Sequence, residues 1–243
     1  MNEDKLLKYA RDISLNILER ISATDLTKEK QAEKLLSEIG HILDQYSLQV
    51  DEVLPESVVN HYFNGVDGAT SALKDIMDEP RPISRIIHQE AVEKISDDTL
   101  MDMHAAIRTA KANAISTVSN ALENVQGDLA KGLLKGEPRK VMQQHVAKSF
   151  EAEGLTAMIT KDNRKLPIDF YSMTITRSKM KTAQIEGAVQ RYKENDQDLV
   201  QIIENDDSCE VCAAHRGVVV SLSGETAGYK SADEVQLPPF HPN

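Results

Sequence analysis

Apolar side chains recur every three or four positions along most of the first 150 residues. Residues 4–22 show this spacing, and it resumes over residues 28–53 after a polar break at residues 24–27. A period of this kind is typical of amphipathic helices. Because Pro55 suits the first turn of a helix, we expect a third helix to begin there and to end before Pro80.

A longer helical pattern covers residues 86–134. Residues 96–98 are Ser-Asp-Asp, which favour helix caps, so they predict an interruption of this helix. Gly132 and Gly136 mark the next boundary, and a short helix is predicted over residues 139–151. The first 150 residues are therefore predicted to form an irregular helical bundle or an extended helical arm.

The pattern changes beyond residue 150. Residues 155–160 and 165–168 predict two short strands joined by a turn, and a long helix is predicted over residues 169–195. Short apolar runs at residues 199–203 and 218–222 predict further strands. The predicted fold class is thus a mainly α N-terminal region followed by a smaller α+β C-terminal domain.

We place the boundary between these two domains at residue 150, which gives a helical domain at residues 1–150 and an α+β domain at residues 151–243. Composition agrees with long helices, because 40% of the 243 residues are hydrophobic while there are only four Phe, six Tyr and no Trp. Helices rich in Ala, Leu, Ile and Val produce this balance.

A net charge of −11 argues against a dedicated duplex-coating protein, which normally carries a strongly basic face. Residues 161–193 are a local exception, with eight basic side chains against three acidic ones. Such an excess can contact phosphate or an acidic partner, and the alternative is a solvated helix face. The residues that we assign to a DNA contact are Lys161, Arg164, Lys165, Arg177, Lys179 and Lys181.

No hydrophobic stretch is long enough to cross a bilayer, and the N-terminus lacks the apolar core of a signal peptide. Two cysteines imply no disulfide framework. We therefore expect a protein of a cytosol-like compartment with no membrane partner.

The candidate chemistry lies at the C-terminal end. Cys209 and Cys212 are the only cysteines, and His241 follows them in a proline-rich segment. Two thiolates at this spacing can bind one zinc ion from a tight turn, and tetrahedral zinc needs two more nitrogen or sulfur ligands. Prolines on both sides of His241 restrict the backbone and would fix the direction of its imidazole. We therefore predict a structural zinc ion that stabilises the tail.

The fourth zinc ligand is open on the sequence alone. His215 lies three residues after Cys212, although it would crowd three ligands into one turn, and a residue after Asn243 is the other possibility. Ordinary buried thiols or a redox pair are the alternatives to a metal site. No strand-turn-helix pattern of the thioredoxin kind surrounds the cysteines, which disfavours the redox pair.

The same segment resembles a known family. The cysteine pair, the Gly-Val-Val-x-Ser-Leu-Ser-Gly strand and the closing Pro-Pro-Phe-His-Pro-Asn are similar to the closing motif of the phage Mu F-like minor head proteins, also called phage minor capsid proteins. Upstream, Gly154-Leu-Thr, the helical segment that ends at Arg177, and Asp198-Leu-Val-Gln-Ile extend the resemblance over residues 150–243. In that family Cys-Arg usually follows His-Pro-Asn, which implies a fourth ligand just after Asn243.

The resemblance implies a structural virion protein, present in several copies in the head interior or at the portal vertex and assembled in the bacterial cytoplasm. Its implied partners are the portal protein and the major capsid protein, and its implied roles are head assembly, DNA packaging or genome ejection. It also implies that Arg177 fastens its helix to the tail by hydrogen bonds. Alternatively, the N-terminal helices serve only as an oligomerisation module.

The sequence shows no motif of a common enzyme class. A Gly-rich phosphate loop, His-Glu-x-x-His and Gly-x-Ser-x-Gly are all missing. The least implausible enzyme is a zinc-dependent nuclease built on the cysteines and His241, since catalytic zinc keeps one open position and recruits a nearby base. Asp206, Asp207 and Glu210 are the only candidates for that base. We therefore expect a protein that is not an enzyme.

Overall fold

The computed structural model describes residues 2–131, 137–153, 155–205 and 208–241, and these residues are mostly helical. The helices are α1 (Asn2–Ala23), α2 (Glu29–Lys74), α3 (Arg85–Ala130), α4 (Pro138–Glu153), α5 (Ile168–Glu194) and α6 (Glu210–Ala213). The strands are β1 (Thr156–Ile159), β2 (Lys165–Pro167), β3 (Leu199–Gln201), β4 (Val219–Ser221) and β5 (Lys230–Ser231). A mainly helical chain with a small C-terminal region of strands is what the sequence predicted.

The long helix α2 differs from the prediction. Pro55 lies inside α2 and does not begin a new helix, so two predicted helices are one. A proline in a helix interior costs about 3 kcal/mol because it removes a backbone donor and its ring crowds the preceding turn. Apolar side chains on both sides of it, Val50, Leu54 and Val58, are buried. The free energy gained by burying these side chains offsets the cost of Pro55, and the helix continues through it.

Helix α3 is likewise continuous, and the interruption predicted at residues 96–98 is wrong. Thr99 is buried and its hydroxyl donates to the Ile95 carbonyl oxygen at 2.6 Å, inside the helix. Polar residues that often cap helices are thus accommodated within one, because their side chains can bond to the preceding turn.

Two small sheets form. Strands β1 and β2 are antiparallel, as predicted for the hairpin. In the second sheet the order is β3-β4-β5, with β3 and β4 antiparallel and β4 and β5 parallel. The strands predicted at residues 199–203 and 218–222 are therefore confirmed, and the structure shows that they are neighbours.

Tertiary packing divides the chain into two compact units. Unit 1 comprises Met1–Leu54 and Leu100–Met173, and unit 2 comprises Pro55–Thr99 and Thr174–Asn243. Each unit takes residues from both sides of position 150, and the boundary proposed there stays a prediction. Two of the divisions fall at Pro55 and after Thr99, close to the interruptions that the sequence predicted.

Unit 1 is held by buried apolar stripes and by polar contacts between its helices. Residues Leu6, Ala10, Ile13, Ile17 and Ile21 form the buried stripe of α1. The Tyr46 hydroxyl donates to Ser172 Oγ at 3.1 Å, and burial raises the pKa of Tyr46 to about 12. The Gln143 side chain donates to the carbonyl oxygens of Ser22 and Thr24 at 2.8 Å, which ties α4 to the end of α1.

In unit 2, α2 and α5 cross with their backbones in close approach. A Cβ atom placed on Gly65 would overlap the Gln184 carbonyl oxygen, and one placed on Gly187 would overlap the Tyr62 carbonyl oxygen. Gly65 and Gly187 therefore allow the crossing, because neither residue has a Cβ atom. This packing fixes α5, whose C-terminal end leads into β3 and the segment that carries the two cysteines.

Several positions singled out in the sequence lie outside the described residues. These are Gly132, Gly136, Gly154, Asp206, Asp207, Pro242 and Asn243. Within the described ranges, no helix combines the length and apolar character needed to cross a membrane.

Candidate metal centre

The two cysteines lie on a single short helical turn. Cys209 directly precedes α6, and Cys212 lies within it. The backbone N–H of Ala213 donates to the Cys209 carbonyl oxygen at 2.8 Å, and the N–H of His215 donates to the Cys212 carbonyl oxygen at 3.0 Å. These bonds set the spacing between the two thiols, as the sequence predicted for a tight turn.

His241 joins the cysteines from about thirty residues further along the chain. Its Nε2 atom lies 3.1 Å from Cys209 Sγ and 3.3 Å from Cys212 Sγ. The three ligand atoms all lie within 4.8 Å of one another. Tetrahedral zinc with ordinary bond lengths separates sulfur from nitrogen by about 3.5 Å, so small shifts of the side chains would admit an ion. Two thiols and one imidazole can therefore hold a metal ion here.

The electrostatics of the cysteine turn favour one thiolate. Hydrogen bonding of the Cys212 backbone N–H to the Cys209 sulfur lowers the pKa of Cys209 to about 7, and the Cys212 side chain, the Val211 N–H and His241 act in the same direction. Burial, the Cys209 sulfur and the charge of Glu204 raise the pKa of Cys212. Since a thiolate is the form that binds metal, Cys209 is prepared for coordination near neutral pH.

His215, the fourth predicted ligand residue, is not part of this group of ligand atoms. Its ring stacks on Phe240, with the ring centroids 4.0 Å apart and the planes inclined by 21°. Its Nδ1–H donates to the Val211 carbonyl oxygen at 2.8 Å. The structure thus brings together Cys209, Cys212 and His241 and places His215 beside them in a different contact.

The loop that carries the cysteines is closed by the β3–β4 ladder. Beyond the strands, the Ile202 N–H donates to the Val218 carbonyl oxygen at 2.9 Å, and the Gly217 N–H donates to the Ile202 carbonyl oxygen at 2.8 Å. Gly217 has a φ of 78°, a backbone conformation that favours glycine. The thiols therefore lie on a loop whose two ends are fixed.

Asp198, directly before β3, organises the opposite end of this sheet. Its carboxylate accepts bonds of 2.6 Å from Ser221 Oγ, Thr226 Oγ1 and the Ser223 N–H. The bonds from Ser221, Thr226 and Ser223, in that order, hold the pKa of Asp198 well below its usual range. Asp198 therefore stabilises this end of the sheet.

The basic tract, residues 161–193, is divided between the two units. Lys161, Arg164 and Lys165 belong to unit 1, while Arg177, Lys179 and Lys181 belong to unit 2. Arg164 Nε donates to Asp162 at 2.7 Å. Arg177 is exposed, and within the described residues it makes no hydrogen bond to residues 208–241, so its role in fastening α5 to the tail stays a prediction. Helix α5 is held by its close contact with α2 at Gly65 and Gly187.

Sequence reasoning missed a buried polar cluster in unit 2. The Arg191 side chain is 2% exposed and donates to Glu194 Oε2 at 2.9 Å, to Thr70 Oγ1 at 2.8 Å and to the Arg81 carbonyl oxygen at 2.7 Å. His88 Nε2 lies 3.1 Å from the same Glu194 oxygen. The feature of the sequence that could have indicated this cluster is the i,i+3 spacing of Arg191 and Glu194. Arg191 belongs to the basic tract, but its guanidinium is buried and hydrogen-bonded within this cluster.

Another group combines the residue types of a hydrolase triad. His104 Nδ1 lies 2.8 Å from Ser47 Oγ, and His104 Nε2 lies 2.7 Å from Asp51 Oδ1. Ser47 sits in the middle of α2, where backbone N–H groups are bonded within the helix and cannot form an oxyanion hole. The group therefore links α2 to α3 within unit 1.

Comparison with known proteins identifies the family. The model of the family described as phage minor capsid protein 2 matches residues 10–237, which include both cysteines and end before His241. The match reaches far upstream of the resemblance at residues 150–243. No curated protein and no solved structure shows significant similarity to the chain. The long match, together with the cysteine turn that lies within it, shows that the chain belongs to the phage minor capsid protein 2 family.

Proposed function

We propose that this chain is a structural component of the phage head, associated with the portal and the inner capsid, and that a zinc ion fastens its C-terminal tail. The observation that carries the first part is the family match over residues 10–237. The second part rests on the convergence of Cys209, Cys212 and His241. Head assembly, DNA packaging or genome ejection is the process in which such a component acts.

Zinc is the metal that best fits the three ligands. Thiolate and imidazole ligands favour zinc over magnesium or calcium, which prefer oxygen. The metal has a structural use, because β3 and β4 have three residues each and β5 has two. Strands this short bury little apolar surface, and a bound ion supplies stability that the core cannot.

A structural zinc site requires a fourth ligand. His215 is engaged with Phe240 and Val211. We propose instead that the ligand follows Asn243, as the family resemblance implies. A water molecule in that position would give the zinc-dependent nuclease considered above. Its potential base Glu210 is exposed, and Asp206 and Asp207 lie outside the described residues.

The proposed partners are the portal protein and the major capsid protein, contacted by the N-terminal helices. Large apolar side chains of these helices are exposed and available for such contacts, among them Leu15, Leu48, Ile86 and Met101. We propose a further contact with packaged DNA through Lys161, Arg164, Lys165, Arg177, Lys179 and Lys181. Exposure of all but Lys179 supports this contact.

Co-expression tests the assignment to the portal. The intact chain is produced with the portal protein and, separately, with the major capsid protein of the same phage, and each mixture is separated by size. We expect co-elution with portal rings and no metal-dependent cleavage of duplex or single-stranded DNA. Cleavage that requires zinc and is lost in His241→Ala would establish the nuclease instead.

A further inference from the structure

The aromatic contact between His215 and Phe240 joins the two parts of the candidate metal centre. Phe240 directly precedes His241, and its ring stacks on the His215 ring at a centroid distance of 4.0 Å. The cysteine turn and the tail therefore touch through these two rings as well as through His241 and the sulfurs.

The His215 ring is itself held to the cysteine turn. Its Nδ1–H donates to the Val211 carbonyl oxygen at 2.8 Å, and its backbone N–H donates to the Cys212 carbonyl oxygen at 3.0 Å. Because a carbonyl only accepts, the Nδ1 atom of His215 must carry the proton. This bond orients the ring as a platform on which the tail can lie.

The stacked ring belongs to the residue directly before His241, so it acts on the backbone next to the candidate ligand. Gln236 Nε2 donates to the Pro239 carbonyl oxygen at 3.1 Å, a bond within the tail itself. A segment that becomes ordered only when the metal binds costs free energy, and this cost weakens metal affinity. A contact that orders the tail in advance removes part of that cost.

We propose that His215 is a positioning residue that seats Phe240 and so presents His241 to the metal. This inference rests on the proposed metal site. It assigns to His215 a role that depends on its flat ring, oriented by the Nδ1–H bond to Val211, and not on metal coordination by Nε2. Stacked aromatic pairs are worth a modest amount of free energy, so their loss should weaken metal affinity on the order of three- to tenfold.

Competition titration of zinc against a chromophoric chelator tests the proposal. The intact chain is compared with His215→Ala, His215→Phe and Cys209→Ser. We expect His215→Ala to bind about three- to tenfold more weakly than the parent chain. His215→Phe keeps a ring that can stack but loses the Nδ1–H bond to Val211, so we expect it to bind more tightly than His215→Ala. Equal weakening of both variants would overturn the proposal, because it would show that the stacked ring contributes nothing. Unchanged affinity of His215→Ala would overturn it as well.

A second measurement separates this proposal from the metal site itself. Stacking shifts the proton resonances of the Phe240 ring, and these shifts can be recorded in metal-free protein. They should be lost in His215→Ala and kept in His215→Phe. If the parent chain binds zinc no better than Cys209→Ser, the metal site is refuted, and the resonances then show whether His215 still seats the tail.

Discussion

At the residue scale, Glu194 shows how a few buried polar atoms hold unit 2 together. Its carboxylate accepts from Arg191, from the Ser84 backbone N–H at 2.8 Å and from His88. Burial alone would raise the pKa of Glu194, but the bonds from Arg191, Ser84 and His88 outweigh burial and lower it. The end of α5 is thereby fastened to the segment before α3.

Replacement of Glu194 tests this fastening. Glu194→Gln should lower the free energy of unfolding at neutral pH by about 3–5 kcal/mol, because it leaves the buried Arg191 charge uncompensated. Urea unfolding followed by circular dichroism measures the change. A loss below about 1 kcal/mol would show that the cluster contributes little.

The contribution of the Glu194–Arg191 pair to the free energy of unfolding depends on pH in a defined direction. Because the folded pKa of Glu194 lies below its ordinary value of 4.5, its stabilising contribution is complete above that pH and is lost as the pH falls through the folded pKa. The difference between the parent chain and Glu194→Gln should therefore shrink when unfolding is measured below pH 4.5. A difference that grows towards acid pH would contradict this linkage.

Sequence reasoning predicted which residues come together at the candidate metal centre better than it predicted the roles of other side chains. Cys209, Cys212 and His241 were recognisable because ligand chemistry and spacing are local properties. His215 is also a histidine that could bind metal, but its ring stacks on Phe240 and does not join the group of ligand atoms. Arg191 was counted as a cation that could contact phosphate, while its partners Thr70 and Arg81 lie more than a hundred residues earlier. Such distant contacts leave no local signal.

At the element scale, the crossing of α2 and α5 rests on two glycines. Gly65 and Gly187 each face the backbone of the other helix. The helices can approach closely only because neither residue has a side chain at the contact. The crossing holds the helix that leads into the sheet beside the candidate metal centre.

A matched pair of glycine substitutions in α2 tests this contact. Gly65→Ala should destabilise the protein by about 1–3 kcal/mol or more, because its Cβ would overlap the Gln184 carbonyl oxygen. Gly68→Ala, in the same helix with nothing within 4 Å of the added atom, should stabilise by up to about 1 kcal/mol. Thermal unfolding of both variants decides. Similar effects of the two substitutions would argue against the close crossing.

Two predicted helix breaks show where the local preference of residues for helix ends does not decide the structure. Pro55 and residues 96–98 carry strong helix-breaking or capping signals, yet α2 and α3 run through them. Buried apolar positions on both sides outweigh the local cost. The hairpin of β1 and β2 was predictable because its turn and strands are adjacent in sequence.

At the scale of the whole molecule, the family places this protein in the phage virion as a structural component. The division into unit 1 and unit 2 could not be predicted from sequence order, because each unit combines segments separated by forty residues or more. The candidate metal centre belongs to unit 2 and includes the last described residue, His241. A metal held there would connect the segment around His241 to the loop between β3 and β4.

Metal analysis of the purified intact chain tests the central claim most directly. The protein is expressed with zinc in the medium, purified without chelators and assayed by elemental mass spectrometry beside two variants, His241→Ala and the control His145→Ala, whose histidine is exposed on α4. Cys209, Cys212 and His241 should hold about one zinc ion per chain, retained in His145→Ala and largely lost in His241→Ala. A parent chain without bound metal, or an undiminished zinc content in His241→Ala, would contradict the account.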